Sequence, residues 1–245
     1  MIARLLVCGS LILCAATHAY AFRPFDSTDA AVAEGGRCEI ELGPVGYLSE
    51  TDDRVLVAPA VVLNFGINNR WEVVIEGKNT WPLGDVATSG LNFRDNAVSV
   101  KGILRRGVLQ ERTGPSVAVE ISTLLPAGGG ERDVGQAFTG IVSQRWSGLT
   151  LHVNGTVAVT RSHEFGAAGG LIVEGPSRWS VRPVGELVVE REIDTTVFAL
   201  VGAIWDVREH VSVDAGWRTR ARGAMSHEFR AGMTFSFDMV NGNAN

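Results

Sequence analysis

From residue 37 onward the chain is a succession of short stretches in which apolar and polar residues alternate one for one. In 149–160, Leu149, Leu151, Val153, Val157 and Val159 fall on one side of an extended reading. Thr150, His152, Asn154 and Thr156 fall on the other. In 71–79, Trp71, Val73 and Ile75 oppose Glu72, Glu76 and Lys78. A period of two marks strands lying between two unlike environments. Read this way, the chain predicts about twelve strands: 37–47, 54–67, 71–79, 97–109, 116–125, 135–146, 149–160, 165–173, 179–190, 196–205, 211–222 and 228–237. Two are less regular, since 165–173 is rich in glycine and 196–205 is apolar on both faces.

The connections carry a second pattern. Asn68-Asn69-Arg70, Ser147-Gly148 and Gly175-Pro176 are tight-turn signals, whereas 80–96 and 126–134 are longer links. Short turns at one end and longer loops at the other are expected of an up-and-down barrel in the outer membrane. Trp71, Trp146, Trp179 and Trp205 all flank connections at the short end. An indole has an apolar ring and one N–H donor, so it favours the boundary between hydrocarbon and headgroup. The pattern therefore predicts an all-β fold, a closed antiparallel transmembrane barrel whose apolar face meets lipid and whose four tryptophans form a membrane-interface belt.

Composition adds the compartment. Residues 1–21 read as a secretory signal peptide, with Arg4 as its positive region, Leu5 to Ala16 as its apolar stretch, and Ala19-Tyr20-Ala21 as a cleavage site. The expected organisation is this signal, an N-terminal periplasmic segment over 22–36, a barrel over 37–237 and a C-terminal extension over 238–245. Removing the signal leaves 21 basic against 27 acidic residues, a balance that argues against nucleic acid. Of the three cysteines only Cys38 remains, so no disulfide within the chain is expected. No later stretch approaches the ~18 apolar residues of a spanning helix, but a barrel strand needs only about 9–11.

Candidate chemistry follows from the orientation. Charge on a lipid face is costly, so the polar face is expected to line the lumen. That places Glu72 and Glu76 there from the third strand, Lys101 and Arg105 from the fourth, and Glu120 from the fifth. Arg182, Glu186 and Glu190 join them from the ninth, and Arg218 and Arg220 from the eleventh. Their role is either a mutually paired network that fills the barrel or a polar passage for a solute. Leu56, Ala58, Ala60 and Val62, with Phe198, Leu200 and Ile204, would add apolar inward patches. A repeat, Ser162-His163-Glu164-Phe165 and Ser226-His227-Glu228-Phe229, raises a cross-barrel Ser162 and His227 pairing. No G-x-S-x-G turn accompanies it, and neighbouring Ser and His on one strand face opposite ways. The four histidines beyond the signal have no ligand spacing and give no metal site, and Gly128-Gly129-Gly130 lacks the Lys-Ser/Thr of a phosphate loop. Asp52-Asp53 beside Glu50 reads as a solvated loop. No enzyme activity and no cofactor are expected.

The run Phe22-Arg23-Pro24-Phe25-Asp26-Ser27-Thr28-Asp29-Ala30-Ala31-Val32-Ala33, with Glu39-Ile40-Glu41-Leu42-Gly43-Pro44 after it and a looser match through 58–65 and 69–76, resembles a family of bacterial outer-membrane transporters. That family is associated with the MetA pathway of phenol degradation. The resemblance implies a barrel in the cell outer membrane that takes up small hydrophobic or aromatic molecules passively. Its expected partners are outer-membrane lipid, the solute and the barrel-assembly machinery. A plugged structural barrel, a soluble periplasmic lipophile-binding barrel and a lipid-modifying barrel enzyme are the alternatives.

Overall fold

The computed structural model describes residues 24–50, 53–83, 92–127 and 132–239. The proposed signal peptide, Asp52, the Gly128–Gly130 run and 240–245 of the C-terminal extension lie outside the described residues. Twelve strands follow in order: β1 (Arg37–Glu50), β2 (Asp53–Asn68), β3 (Trp71–Pro82), β4 (Asn92–Arg105), β5 (Ser116–Leu124) and β6 (Gly135–Trp146). The second half comprises β7 (Leu149–Val159), β8 (Phe165–Glu174), β9 (Val181–Arg191), β10 (Thr195–Arg208), β11 (Val211–Arg222) and β12 (Ser226–Asp238). Each pairs antiparallel with its neighbours, and β1 pairs with β12 from Arg37 opposite Asp238 to Glu50 opposite Ser226. Closure removes the unpaired edge that an open sheet would present.

The wall has the polarity of a soluble protein turned inside out. Along β7, Thr150, His152 and Asn154 are buried while Val153 and Val157 are exposed. On β10, Phe198, Leu200 and Ile204 face inward and Val201 and Trp205 outward. Phe138, Ile121 and Val201 are 46%, 56% and 63% exposed, whereas Lys101, Glu72 and Arg182 are nearly inaccessible. So broad an apolar exterior is costly in water and matched in hydrocarbon.

Two irregularities reset the alternation. The β2 register shifts between Val57 and Ala60, so Val57 is buried and lines the interior. Leu56 instead pairs with Tyr47 and Trp81, both exposed. The expected inward position of Leu56 is thus corrected: one shift in β2 exchanges the two faces. A second shift, between Ile103 and Arg105, does the same in β4.

The ends also differ from expectation in detail. β3 and β4 extend over 80–82 and 92–96, which the sequence reading left to a loop, and β4 stops at Arg105 rather than Leu109. Of the five connections at the end where β1 begins, four are short. The fifth, 106–115, contains a 3-10 turn at Val108–Gln110 that packs against the inside of the barrel.

If the exterior faces hydrocarbon, Val201→Arg, midway along β10, is expected to cost ~2–4 kcal/mol of folding free energy in lipid vesicles. Denaturant titration of the vesicle-inserted protein measures this, and no loss of stability would contradict the outward assignment.

Candidate functional site

The segment expected to precede the barrel as a separate periplasmic piece runs inside it. Residues 24–34 form an extended strap that crosses the lumen from the β11–β12 wall to the β2–β3 wall. Pro24 lies against Gly216, and Phe25 packs on Val184 and Ile204. Asp26 meets Arg218 at 2.6 Å and Arg230 at 2.7 Å. At the far side the chain turns into β1 through Gly35 and Gly36. Gly36 has φ +81°, a backbone region that favours glycine. Its N–H donates to the Gly66 carbonyl, and its own carbonyl accepts from Met239 N–H.

A buried stretch without secondary structure must find partners for its own peptide groups, and here the wall supplies them. Glu186 accepts from the amides of Asp26 and Ser27 at 2.9 and 2.7 Å. Asn154 accepts from Thr28 N–H at 3.2 Å and donates to its carbonyl at 2.7 Å. Ser143 Oγ accepts from Ala30 N–H at 3.0 Å, Gln110 donates to the Ala30 carbonyl at 2.9 Å, and Glu72 accepts from Ala33 N–H at 2.6 Å. Ala30 also packs on Leu109, Ala118 and Ile141.

Space for the strap is cut into the wall by missing side chains. A Cβ on Gly66 would come within 2.0 Å of the Glu34 carbonyl oxygen, and one on Gly170 within 1.9 Å of Ser27 Oγ. The first obstacle is backbone, so Gly66 tolerates no side chain while the strap is seated.

Charge balances the same seat. Lys101 is fully enclosed, 3.4 Å from Glu72 and 3.8 Å from Asp29, and it donates to Thr28 Oγ1 at 3.1 Å. Arg230 and Arg218 also reach Glu228, at 2.8 and 3.7 Å. Burial alone would raise the Asp26 carboxyl, but Arg230 and Arg218 outweigh it and hold it below its ordinary value. A depressed carboxylate contributes stability above its unfolded pKa, about 4, and loses it only as the pH falls through the lower folded value. This anchor therefore persists throughout the neutral range.

Other polar groups form a chain at the base of the lumen. Asp206 pairs with Arg182, Arg182 Nε lies 3.6 Å from Glu174, and Glu174 lies 3.3 Å from His152 Nε2. His152 Nδ1 is 2.8 Å from Ser143 Oγ. Ser143 Oγ also accepts from Ala30 N–H, so this pair ties the His152 ring to the strap. Ser143 and His152 lie fully buried beneath the strap, with Glu174 half-buried behind them, and Ser143 holds Ala30. Ser162 instead bonds Thr160 at 2.8 Å and His227 bonds Thr219 at 3.1 Å, so the cross-barrel pair raised by the repeat does not meet.

The residues singled out from the sequence thus divide into groups. Glu72, Lys101 and Glu186 seat the strap directly, Arg218 does so through Asp26, and Arg182 stands behind Glu174. Glu76, Glu120 and Glu190 line a cavity of about 710 Å³ floored by Pro24–Thr28. Arg220 lies 5.2 Å from the Phe198 ring and donates to the Ala224 carbonyl. Arg105 is corrected: the shift in β4 places it beside Val117, exposed at the rim, where it bonds the Pro115 and Thr113 carbonyls. The sequence reading missed Asp26, Asp29, Ser143, His152, Asn154 and Arg230. The inward glycines 66, 170 and 216 were the signal that something had to fit against them.

Trp71, Trp146, Trp179 and Trp205 stand on the outer surface at the end where β1 begins, 42% to 53% exposed. The Trp71 ring lies across Gly102, whose hypothetical Cβ would be 2.3 Å from it. A second exposed aromatic group, Tyr47, Trp81, Phe93 and Phe229, sits toward the opposite end.

The barrel is similar to a COG4313 outer membrane channel from Pseudomonas putida F1, with TM-score 0.62 and 10% identity over 87% of this chain and 100% of that one. It is also similar to the NanC porin (TM-score 0.59, 9% identity, 81% of this chain and 98% of that one). The KdgM porin gives TM-score 0.56 and 10% identity over 81% of this chain and 99% of that one. At these identities the likeness carries the fold. No family model matches the chain, and neither does any curated protein. The likeness to phenol-degradation transporters therefore rests on the sequence resemblance alone.

Lys101→Met removes the cation shared by two buried carboxylates and is expected to cost about 3–5 kcal/mol. Amide hydrogen exchange should show protection lost at Thr28, Ala30 and Ala33. Full protection in the variant would mean that Lys101 does not seat the strap.

Proposed function

We propose that this protein is an outer-membrane channel through which small solutes pass by diffusion, its bore narrowed by the N-terminal strap. The observation that carries the reading is the inverted wall: an apolar exterior around a polar, charge-lined interior that holds an open cavity. Exposed aromatics at both ends support a bilayer setting, since such rings favour the two headgroup boundaries. The similarity in fold to outer-membrane channels and porins is in keeping with it. No step of this mechanism needs a nucleophile, a metal or an energy source. The solute enters the cavity and crosses beside the strap.

The cargo follows from the lining. Val57, Val62, Val74 and Val188 give the cavity apolar patches, but Glu76, Glu120, Lys78 and Glu190 stand among them. We read this as a bore for small polar solutes. The hydrophobic or aromatic cargo implied by the family resemblance would meet those valines and a carboxylate-rich wall together. A closed structural barrel is the second reading, and the number of strap–wall bonds is what favours it.

Planar-bilayer recording distinguishes the two. The full chain is expected to give small conductance steps, and a form lacking residues 24–34 larger ones. Silence from both forms would overturn the channel reading. Equal conductance from both would show that the strap does not limit the bore.

A further inference from the structure

We propose that the lumen admits cations in preference to anions, and that Glu76, Glu120 and Glu190 set this preference. The inference rests on the channel reading above and names the solute class it favours.

Its basis is an asymmetry in how positive and negative groups reach the cavity. Four cationic side chains line it: Lys78, Lys101, Arg218 and Arg230. Each is already held by carboxylates. Lys78 pairs with Asp95, Lys101 with Glu72 and Asp29, and both arginines with Asp26 and Glu228. Two of them are also withheld from the bore. Lys101 is 2% exposed, and the Arg218 guanidinium carbon lies 3.5 Å from the Phe198 ring centroid, which covers one of its faces.

The carboxylates are not matched in return. Glu76, Glu120 and Glu190 line the same cavity, and among the described residues no lysine or arginine nitrogen lies within 4.0 Å of any of them. Glu120 accepts only a long bond of 3.4 Å from Ser122 Oγ. Glu76 is exposed to the interior, and the other two are half-buried. They come from β3, β5 and β9, so they are spread around the path rather than gathered at one point.

The scale of the cavity makes this count. A volume of about 710 Å³ corresponds to a sphere about 11 Å across, comparable with the ~8 Å screening length of physiological salt. Wall charge at that distance is not screened away. Low-dielectric walls of one sign concentrate counter-ions and exclude co-ions, and carboxylates lining a bore select cations. An anion entering here meets three carboxyl groups that stand outside any ion pair among the described residues, while each lysine and arginine on the cavity wall is already paired with a carboxylate.

Reversal potentials of the full-length protein in planar bilayers under a potassium chloride gradient test this directly. The potassium-to-chloride permeability ratio is expected to be several-fold above one. The isosteric triple variant Glu76→Gln/Glu120→Gln/Glu190→Gln should bring it to about one, and each single variant part of the way. A ratio at or below one in the unaltered protein would overturn the proposal while leaving the channel intact. So would a conducting triple variant that kept the full ratio. Should the triple variant not fold, the unaltered ratio and the three single variants still decide. Absence of conductance from the full chain would remove the selectivity together with the channel reading, a result distinct from unselective conductance.

Discussion

A sheet that presents valine and phenylalanine on its outside has to carry its charged residues inside, and a charge enclosed by protein needs a partner. That requirement organises this molecule more than any single motif does. The interior could have been neutralised entirely by wall-to-wall pairs, as Arg182 with Asp206 and Glu174 is. Across its middle it is instead neutralised through the N-terminal strap. Asp26 and Asp29 bring negative charge to arginines and a lysine that would otherwise lack enough of it. In exchange, Glu186, Asn154, Ser143 and Glu72 satisfy the peptide groups of a segment that has no helix or sheet of its own.

This mutual dependence explains why the strap has one path. An extended segment could slide if its partners were only apolar, because dispersion contacts are individually weak and undirected. Hydrogen bonds from successive amides to side chains on separate strands remove that freedom. The steric template does the rest. Phe25 seats on Val184 and Ile204, Pro24 against Gly216, and the last strap residues against Gly66. Recognition is thus distributed over nearly the whole circumference, and no single wall residue holds the segment alone.

The wall of the barrel was legible in the sequence because its determinants are local. Alternation over six or seven residues, as from Val153 to Val159, needs no knowledge of what lies opposite, and the tight turns fix which strands are neighbours. Errors came where one residue changed the phase. The shifts at Val57/Ala60 and Ile103/Arg105 turned Leu56 and Arg105 outward, and simple parity cannot see a bulge. The strap was illegible for the opposite reason. Asp26 and Glu186 are 160 positions apart, and Thr28 and Asn154 are 126 apart. Nothing within 22–36 states that its partners lie on distant strands. Inward glycines on β2, β8 and β11 hinted at an object to be accommodated, but a glycine in a strand reads equally well as a bulge or a weak spot. The aromatic group at the far end was hidden because Trp81 and Phe93 fall where the chain appeared to have left the sheet.

Gly36 joins features that are otherwise far apart in the chain. Its amide is tied to β2, and its carbonyl takes the hydrogen bond that follows the last strand. That second bond requires β12 to be in place beside β1. Without it the hinge between strap and first strand is secured on one side only. Closing the cylinder and fixing the strap's exit are therefore coupled, because the seam between β1 and β12 completes both. The final strand fastens the doorway behind the strap.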